Sequence, residues 1–576
     1  MRAAETLANF EAAASARASA RGQPFARLAV GLVIAGMVLA AVVRAATPPA
    51  AMDLGTLGGS SSSAYAISAS GIVAGDSFTA GDAETHAFVW TQTGGMADLG
   101  TLGGSYSSAS FVADSGLVAG SSQTAGGEYH AFAWTPTGGI VDLALGGSQS
   151  TVWAVNASGV VVGESYTAGD AAYHAFAWTP TAGMVDLGTL GGTSSTAYAV
   201  SGNGIVAGES FIAGDAEIHA FAWTPAGGMV DLGTLGGSYS TAYAVNASGV
   251  VVGESYTAGD AAFRAFAWTS TGGMVDLGTL GGSSSTAYAV SGSGIVVGVS
   301  YMAGDAAYHA FAWTPTGGMV DLGTLGGSYS SASLVSDSGV VAGYSYTAGD
   351  GESQAFAWTP TAGMVNLSLG GIYSTAWAVN ASGVVVGESS TAGYNDSHPF
   401  VWTPTGGIVD LGTPGGTYSS AYAVNDGGQI VGVNMVGAAA WHAELWSIGN
   451  PVQPTVSITI NGSHGSVTIP QGVPITISIS FSAGTAGVFD TAEIYLGIAS
   501  ADGTVVWLDP ITNTFVPTAT PVYAGHLRSF GPTVATPIQA PFLIRPGRYW
   551  WLVVVDNDSN GVPNGPLYDF TRTILQ

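Results

Sequence analysis

The chain has 576 residues, of which 37 are acidic and 10 basic, giving a net charge of −27, with 87 glycines and no cysteine. So acidic a surface cannot neutralise phosphates, which excludes nucleic acid as a partner. Without cysteine there is no disulfide framework and no thiol chemistry. Lysine is absent too, which removes Schiff-base catalysis.

Residues 1–45 read as an export signal. Arg2, Arg17, Arg21 and Arg27 precede the apolar run Leu28 to Val43, and Val43 and Ala45 suit the positions before a signal-peptidase cut. An uncleaved anchor is the competing reading, although a span needs ~20 apolar residues and this run is shorter. No other run is long enough to cross a bilayer, so the cleaved chain has no expected membrane span. Removing residues 1–45 leaves five arginines against 35 acids, a composition that attracts divalent cations or basic partners.

Residues 46–450 are an array. Trp90, Trp134, Trp178, Trp223, Trp268, Trp313, Trp358, Trp402 and Trp446 recur every 44 or 45 residues. Self-similarity at that period marks small units that share one continuous core. In the unit Leu187 to Asp231, four short β-like runs stand out: Thr196 to Val200, Gly204 to Ser210, His219 to Thr224 and Met229 to Gly233. Each is bounded by Gly, Ser, Asn or Asp, the residues that reach φ > 0 or close turns cheaply. Four antiparallel strands per unit predict the blade of a β-propeller. Ala51 to Gly55 resembles a detached fourth strand, and the last unit stops after its third, so the N-terminal strand is expected to complete the ninth blade. A β-solenoid, or eight blades with a degenerate remainder, are the alternative architectures.

The runs His86-Ala87-Phe88, His130-Ala131-Phe132, His174-Ala175-Phe176, His219-Ala220-Phe221 and His309-Ala310-Phe311 recur in register with DLGTLGG, as at Asp98 to Gly104. This pattern resembles the HAF-repeat family of bacterial extracellular proteins over about residues 51–446. The resemblance implies an exported protein at the cell surface, in the periplasm or in the medium, and no defined activity. Arg264, Gln354 and Pro399 depart from the pattern. Because Arg264 and Gln354 replace histidine, the repeated histidines read as structural and not as ligands or bases.

The repeated carboxylates are the candidate ligand face. Glu164, Glu209, Glu254 and Glu388 end second strands; Asp82, Asp170, Asp215, Asp260, Asp305 and Asp350 lie in the loops that follow. In an up-and-down blade those loops share a face with the GGSYS loops, which carry Tyr106, Tyr239 and Tyr329. Acids beside aromatic rings suit calcium and sugars. Asx-turns in each loop are the alternative role for the aspartates. No nucleophile elbow is present, and near-identical blades argue against a single active site.

Residues 451–576 change composition and read as an immunoglobulin-like β-sandwich. Asp556, Asp558 and Asn560 before Gly561, with Asp569 downstream, resemble half of a calcium loop, and Ca2+ is the one cofactor the sequence suggests. These features together predict an exported, non-catalytic protein that binds an extracellular glycan or protein, with calcium assisting. The alternatives are a secreted propeller enzyme acting on polysaccharide and a self-assembling surface component. Oligomeric state is not legible.

Overall fold

The computed structural model describes residues 51–448, apart from 393–395 and 438–439, and the strand backbones between Thr455 and Leu575. The export-signal expectation lies outside the described residues. No helix among them is long and apolar enough to cross a membrane.

Nine four-stranded antiparallel blades form a closed ring. In blade 4 the strands are Gly191–Val200, Val206–Ile212, Ile218–Thr224 and Gly228–Asp231. The first strand starts earlier than hydropathy indicates, because Gly191 already pairs with Ile212. Its serines form hydrogen bonds that a loop would leave to water. Ser195 Oγ donates to Gly188 O at 2.6 Å and accepts the Ala175 N–H of blade 3 at 2.9 Å. The same bond joins blade 4 to blade 5 (Ala220 N–H to Ser240, 2.8 Å) and blade 9 to blade 1 (Ala443 N–H to Ser62, 2.9 Å). Pro399 has no N–H to give, and Ser419 turns to Val433 O within its own blade.

The hydrophobic plug between blades is the phenylalanine of the HAF run more than the tryptophan. Phe221 has no exposed surface and packs against Val162, Ala175 and Ala177 of blade 3. Trp223 is only partly buried beside it. In blade 9 Glu444 takes the phenylalanine's place, and there Trp446 is fully buried.

Blade 9 is completed by the N-terminal strand Ala51–Asp53, paired as Ala51↔Trp446, Met52↔Leu445 and Asp53↔Glu444. Leu54, Val431, Ala443 and Leu445 then share a core with Ala64, Val73, Phe88 and Trp90 of blade 1. Closure leaves no sheet edge between the ends of the array, and it rules out the solenoid and the eight-blade alternative. The first strands of neighbouring blades contact one another around the ring and so lie innermost.

Between Thr455 and Leu575 the backbone forms a three-stranded and a seven-stranded sheet. Asp556 ends the strand Gly547–Asp556, and Asp569 lies on its partner Leu567–Leu575. Asp558 and Asn560 lie outside the described residues. Among the described residues no cluster of three metal-ligating side chains occurs.

Candidate functional site

The first strand of every blade carries a β-bulge opposite the second-strand glycine, and that bulge builds the site. In blade 5 Ala242 pairs with Gly253 and Ala244 with Val252, leaving Tyr243 as the extra residue. A bulge re-aims the side chain it carries. It forms only because Gly253 lies opposite, where an added Cβ would sit 1.9 Å from Thr241 O. The bulge residues around the innermost ring are Tyr65, Ser110, Trp153, Tyr198, Tyr243, Tyr288, Ser333, Trp377 and Tyr422. Seven of the nine are aromatic, and they form a collar on the axis. Neighbouring rings stand 5.9 Å apart for Trp153–Tyr198, 6.5 Å for Tyr198–Tyr243, 6.2 Å for Tyr243–Tyr288, 6.1 Å for Trp377–Tyr422 and 5.9 Å for Tyr65–Tyr422. Trp153 and Trp377 each expose 45% of their surface. At the turn end of the first strands, residues of blades 8, 9, 1, 2 and 3 line a cavity of ≈ 270 Å³, among them Val155, Asn156, Asn425 and Asp426.

A second ring sits behind the collar, on the second strands. Successive blades place Asp76, Ser121, Glu164, Glu209, Glu254, Val299, Tyr344, Glu388 and Val433 there. The carboxylates accept hydroxyls from the inner strands. Glu209 accepts from Tyr198 at 3.0 Å, from Tyr239 at 3.2 Å and from Thr241. Glu254 accepts from Tyr243 at 3.0 Å and Thr286 at 2.7 Å. Glu164 accepts from Thr196 at 2.7 Å and Glu388 from Tyr418 at 2.6 Å. Burial, reinforced by these carboxylates, pushes the phenols of Tyr198 and Tyr243 up, so they remain neutral donors. Tyr239 is pushed up to about 12, chiefly by burial. Burial also raises Asp76, against hydrogen bonds from Ser108 and Tyr65.

The loop aspartates have a local role. Asp215 adopts φ 56° and accepts the Thr193 N–H at 2.7 Å, tying the loop after the second strand to the start of the first strand. Asp82, Asp170, Asp260, Asp305 and Asp350 repeat this bond with Ser60, Ser148, Ser238, Ser283 and Ser328. The backbone bond from Ser148 holds the Asp170 carboxyl below its ordinary range. Tyr329 stacks on Tyr344 with ring centroids 5.4 Å apart. Thus Glu164, Glu209, Glu254 and Tyr239 belong to the inner network, while the aspartates lie apart from it in the loops.

The histidines bind the blade's outer half. His219 Nδ1 lies 2.9 Å from Asp231 on the fourth strand, and Asp231 also caps the Gly233 N–H at 2.7 Å. In blade 9 the partner of His442 is Asp53 of the N-terminal strand, at 2.7 Å. Burial opposes charge on His86, but Asp98 and Glu84 together raise its pKa.

The collar itself escaped the sequence reading. Its signal was present: Trp153 and Trp377 fall outside the 44–45-residue phase of the nine periodic tryptophans.

No protein-family model matches the chain, and no curated protein matches it. Among solved structures it is similar to a puromycin hydrolase (14% identity, TM-score 0.30, covering 65% of this chain and 58% of the hydrolase). It is also similar to dipeptidyl peptidase 4 of Porphyromonas gingivalis (10%, 0.37, 75% and 65%) and a gluconolactonase of Xanthomonas campestris (13%, 0.24, 45% and 88%). The chain thus spans less than two thirds of the hydrolase and of the peptidase. Scores at this level equate no residue of this chain with any in those proteins.

The premise of the expected non-catalytic role is corrected by the ring itself. Near-identical blades seemed to leave no asymmetry for an active site, yet the innermost positions are asymmetric. There the scaffold repeats while the axial side chains change from blade to blade.

Proposed function

We propose that the chain is a hydrolase of polysaccharide whose site is the axial channel. The observation that carries this reading is the collar of aromatic rings backed by hydroxyl-bound carboxylates. Flat rings stack on pyranose faces, and carboxylates receive sugar hydroxyls and move protons. With ring centroids about 6 Å apart, nine such steps close a circle roughly 18 Å across, room for one glycan chain between flanking side chains.

Glycoside hydrolysis needs one carboxyl that holds a proton and one that is ionised. Asp76 is the proton donor in this reading, because burial raises it and it breaks the glutamate pattern of the ring. Its proton passes to the glycosidic oxygen as the C1–O bond breaks. A second carboxylate takes a proton from the water that adds to C1. Glu164 and Glu388, each two blades away around the ring, are the candidates for that base.

The test is release of reducing ends from a panel of polysaccharides. Wild type should cleave one class, and Asp76→Asn should lose at least ~10²-fold in kcat with binding retained. Activity should also fall as pH rises through the raised Asp76 pKa. Equal turnover by the variant would remove Asp76 from the reaction, and cleavage of no polysaccharide would remove the reading. Export by residues 1–45 and membership of the HAF-repeat family belong to the same proposal, since an extracellular polymer requires an exported enzyme. Calcium at Asp556, Asp558, Asn560 and Asp569 is a separate proposal, checked by whether chelator lowers the melting temperature of wild type more than of Asp558→Ala.

A further inference from the structure

The collar has a property that narrows its substrate: it contains no cation. The sequence has no lysine, and Arg264 is the one arginine of residues 51–448. Arg264 lies on a third strand, Phe263–Thr269, away from the axis. His219 and its equivalents are engaged by aspartates of the fourth strands. The inner wall therefore presents aromatic faces backed by carboxylates whose charge no cation of residues 51–448 offsets.

We infer that the collar receives a linear amino-sugar polymer carrying free ammonium groups. This inference rests on the channel being the polysaccharide site. Two chemistries recognise such a chain together. The ammonium is attracted to Trp and Tyr faces, most strongly where water is excluded. The same ammonium is a counter-ion for Glu209 and Glu254, which face no cation among the described residues. A uronic-acid polymer would meet the same wall with repulsion. Sugar is favoured over a basic peptide because Tyr198 and Tyr243, whose hydroxyl protons go to Glu209 and Glu254, keep oxygens that can accept from sugar hydroxyls.

Trp153 and Trp377 supply the geometry. They hold the same place in blades 3 and 8, five blades apart in a ring of nine, and so face each other across the bore. Each follows a blade whose bulge residue is serine, Ser110 and Ser333. A chain crossing the collar would run between two indoles, with an open slot beside each.

The experiment uses full-length protein carrying Asp76→Asn, so that binding is read without cleavage. Tryptophan fluorescence is titrated with a glucosamine oligomer, its N-acetylated counterpart and an oligogalacturonate. The glucosamine oligomer should bind roughly tenfold more tightly than the acetylated one, the effect of one or two such ammonium contacts. The oligogalacturonate should not bind, and added salt should weaken the glucosamine complex. Glu254→Gln should lower affinity for the glucosamine oligomer alone, whereas Trp377→Ala should lower it for both neutral and cationic chains. Equal affinity for acetylated and free chains would overturn the inference while leaving a polysaccharide enzyme standing. Binding of an arginine-rich peptide with no binding of any oligosaccharide would overturn both. Selective binding without hydrolysis by wild type would sink the enzyme and keep the ligand.

Discussion

Replacing Glu444 with glutamine should stabilise the ring, and only at neutral pH. Glu444 stands where eight sister blades have a fully buried phenylalanine, and it exposes 3% of its surface. Burial first, then the negative charge of Asp53 opposite, pushes its carboxyl from 4.5 to about 7. The folded state therefore holds this proton more tightly than the unfolded chain does. Its contribution is fully present below about pH 4.5 and is lost as pH rises towards 7. At ~1.4 kcal/mol per pKa unit, the loss comes to at most about 3 kcal/mol. Thermal melts of wild type and Glu444→Gln should differ little at pH 4.5. At pH 7.5 the variant should be the more stable by up to that amount. Because the charge sits on the strand that clasps the ring, hydrogen exchange at Met52 and Leu445 should slow in the variant at pH 7.5. A stability difference independent of pH would refute the argument, since it would mean that Glu444 is ionised, or neutral, in both states.

Further expectations follow from single contacts. Gly253→Ala would force a Cβ to within 1.9 Å of Thr241 O, so blade 5 must lose its bulge; the cost should exceed ~2 kcal/mol in thermal melts, with Tyr243 fluorescence altered. Ser240→Ala removes the partner of the buried Ala220 N–H between blades 4 and 5, which should cost about 1–3 kcal/mol by the same measure. His442→Ala breaks a pair with the half-exposed Asp53 and should cost no more than about 1 kcal/mol, with hydrolysis unchanged. Loss of turnover in that last variant would show that the clasp reaches the channel.

The period made the fold legible, because a blade cannot bury both faces alone and the Trp spacing counts the blades. The N-terminal clasp was legible as well, since Ala51 to Gly55 matches a fourth strand with no blade of its own. Hydropathy missed the early halves of the first strands. Gly191 to Ser195 reads as loop, yet its serine hydroxyls satisfy backbone groups of the preceding blade. The tryptophans that mark the period are also not the plug, since two residues earlier phenylalanine is the side chain with no exposure. The candidate site was half visible. Glu164, Glu209, Glu254 and Glu388 were singled out, but the loop aspartates looked equivalent, and only hydrogen bonding separates them. Apart from the off-phase Trp153 and Trp377, the collar was hidden because a bulge shifts residues such as Tyr243 out of the two-residue alternation on which strand faces are assigned.

The account stands on the axial channel being where substrate is held. A crystal structure of Asp76→Asn with a bound glucosamine oligomer tests that most directly. Sugar rings stacked on Trp153 or Trp377, with Asp76 beside a glycosidic oxygen, are the result the account predicts. Sugar bound instead at the outer loops around Asp215 and Asp260, with the collar empty, would contradict it.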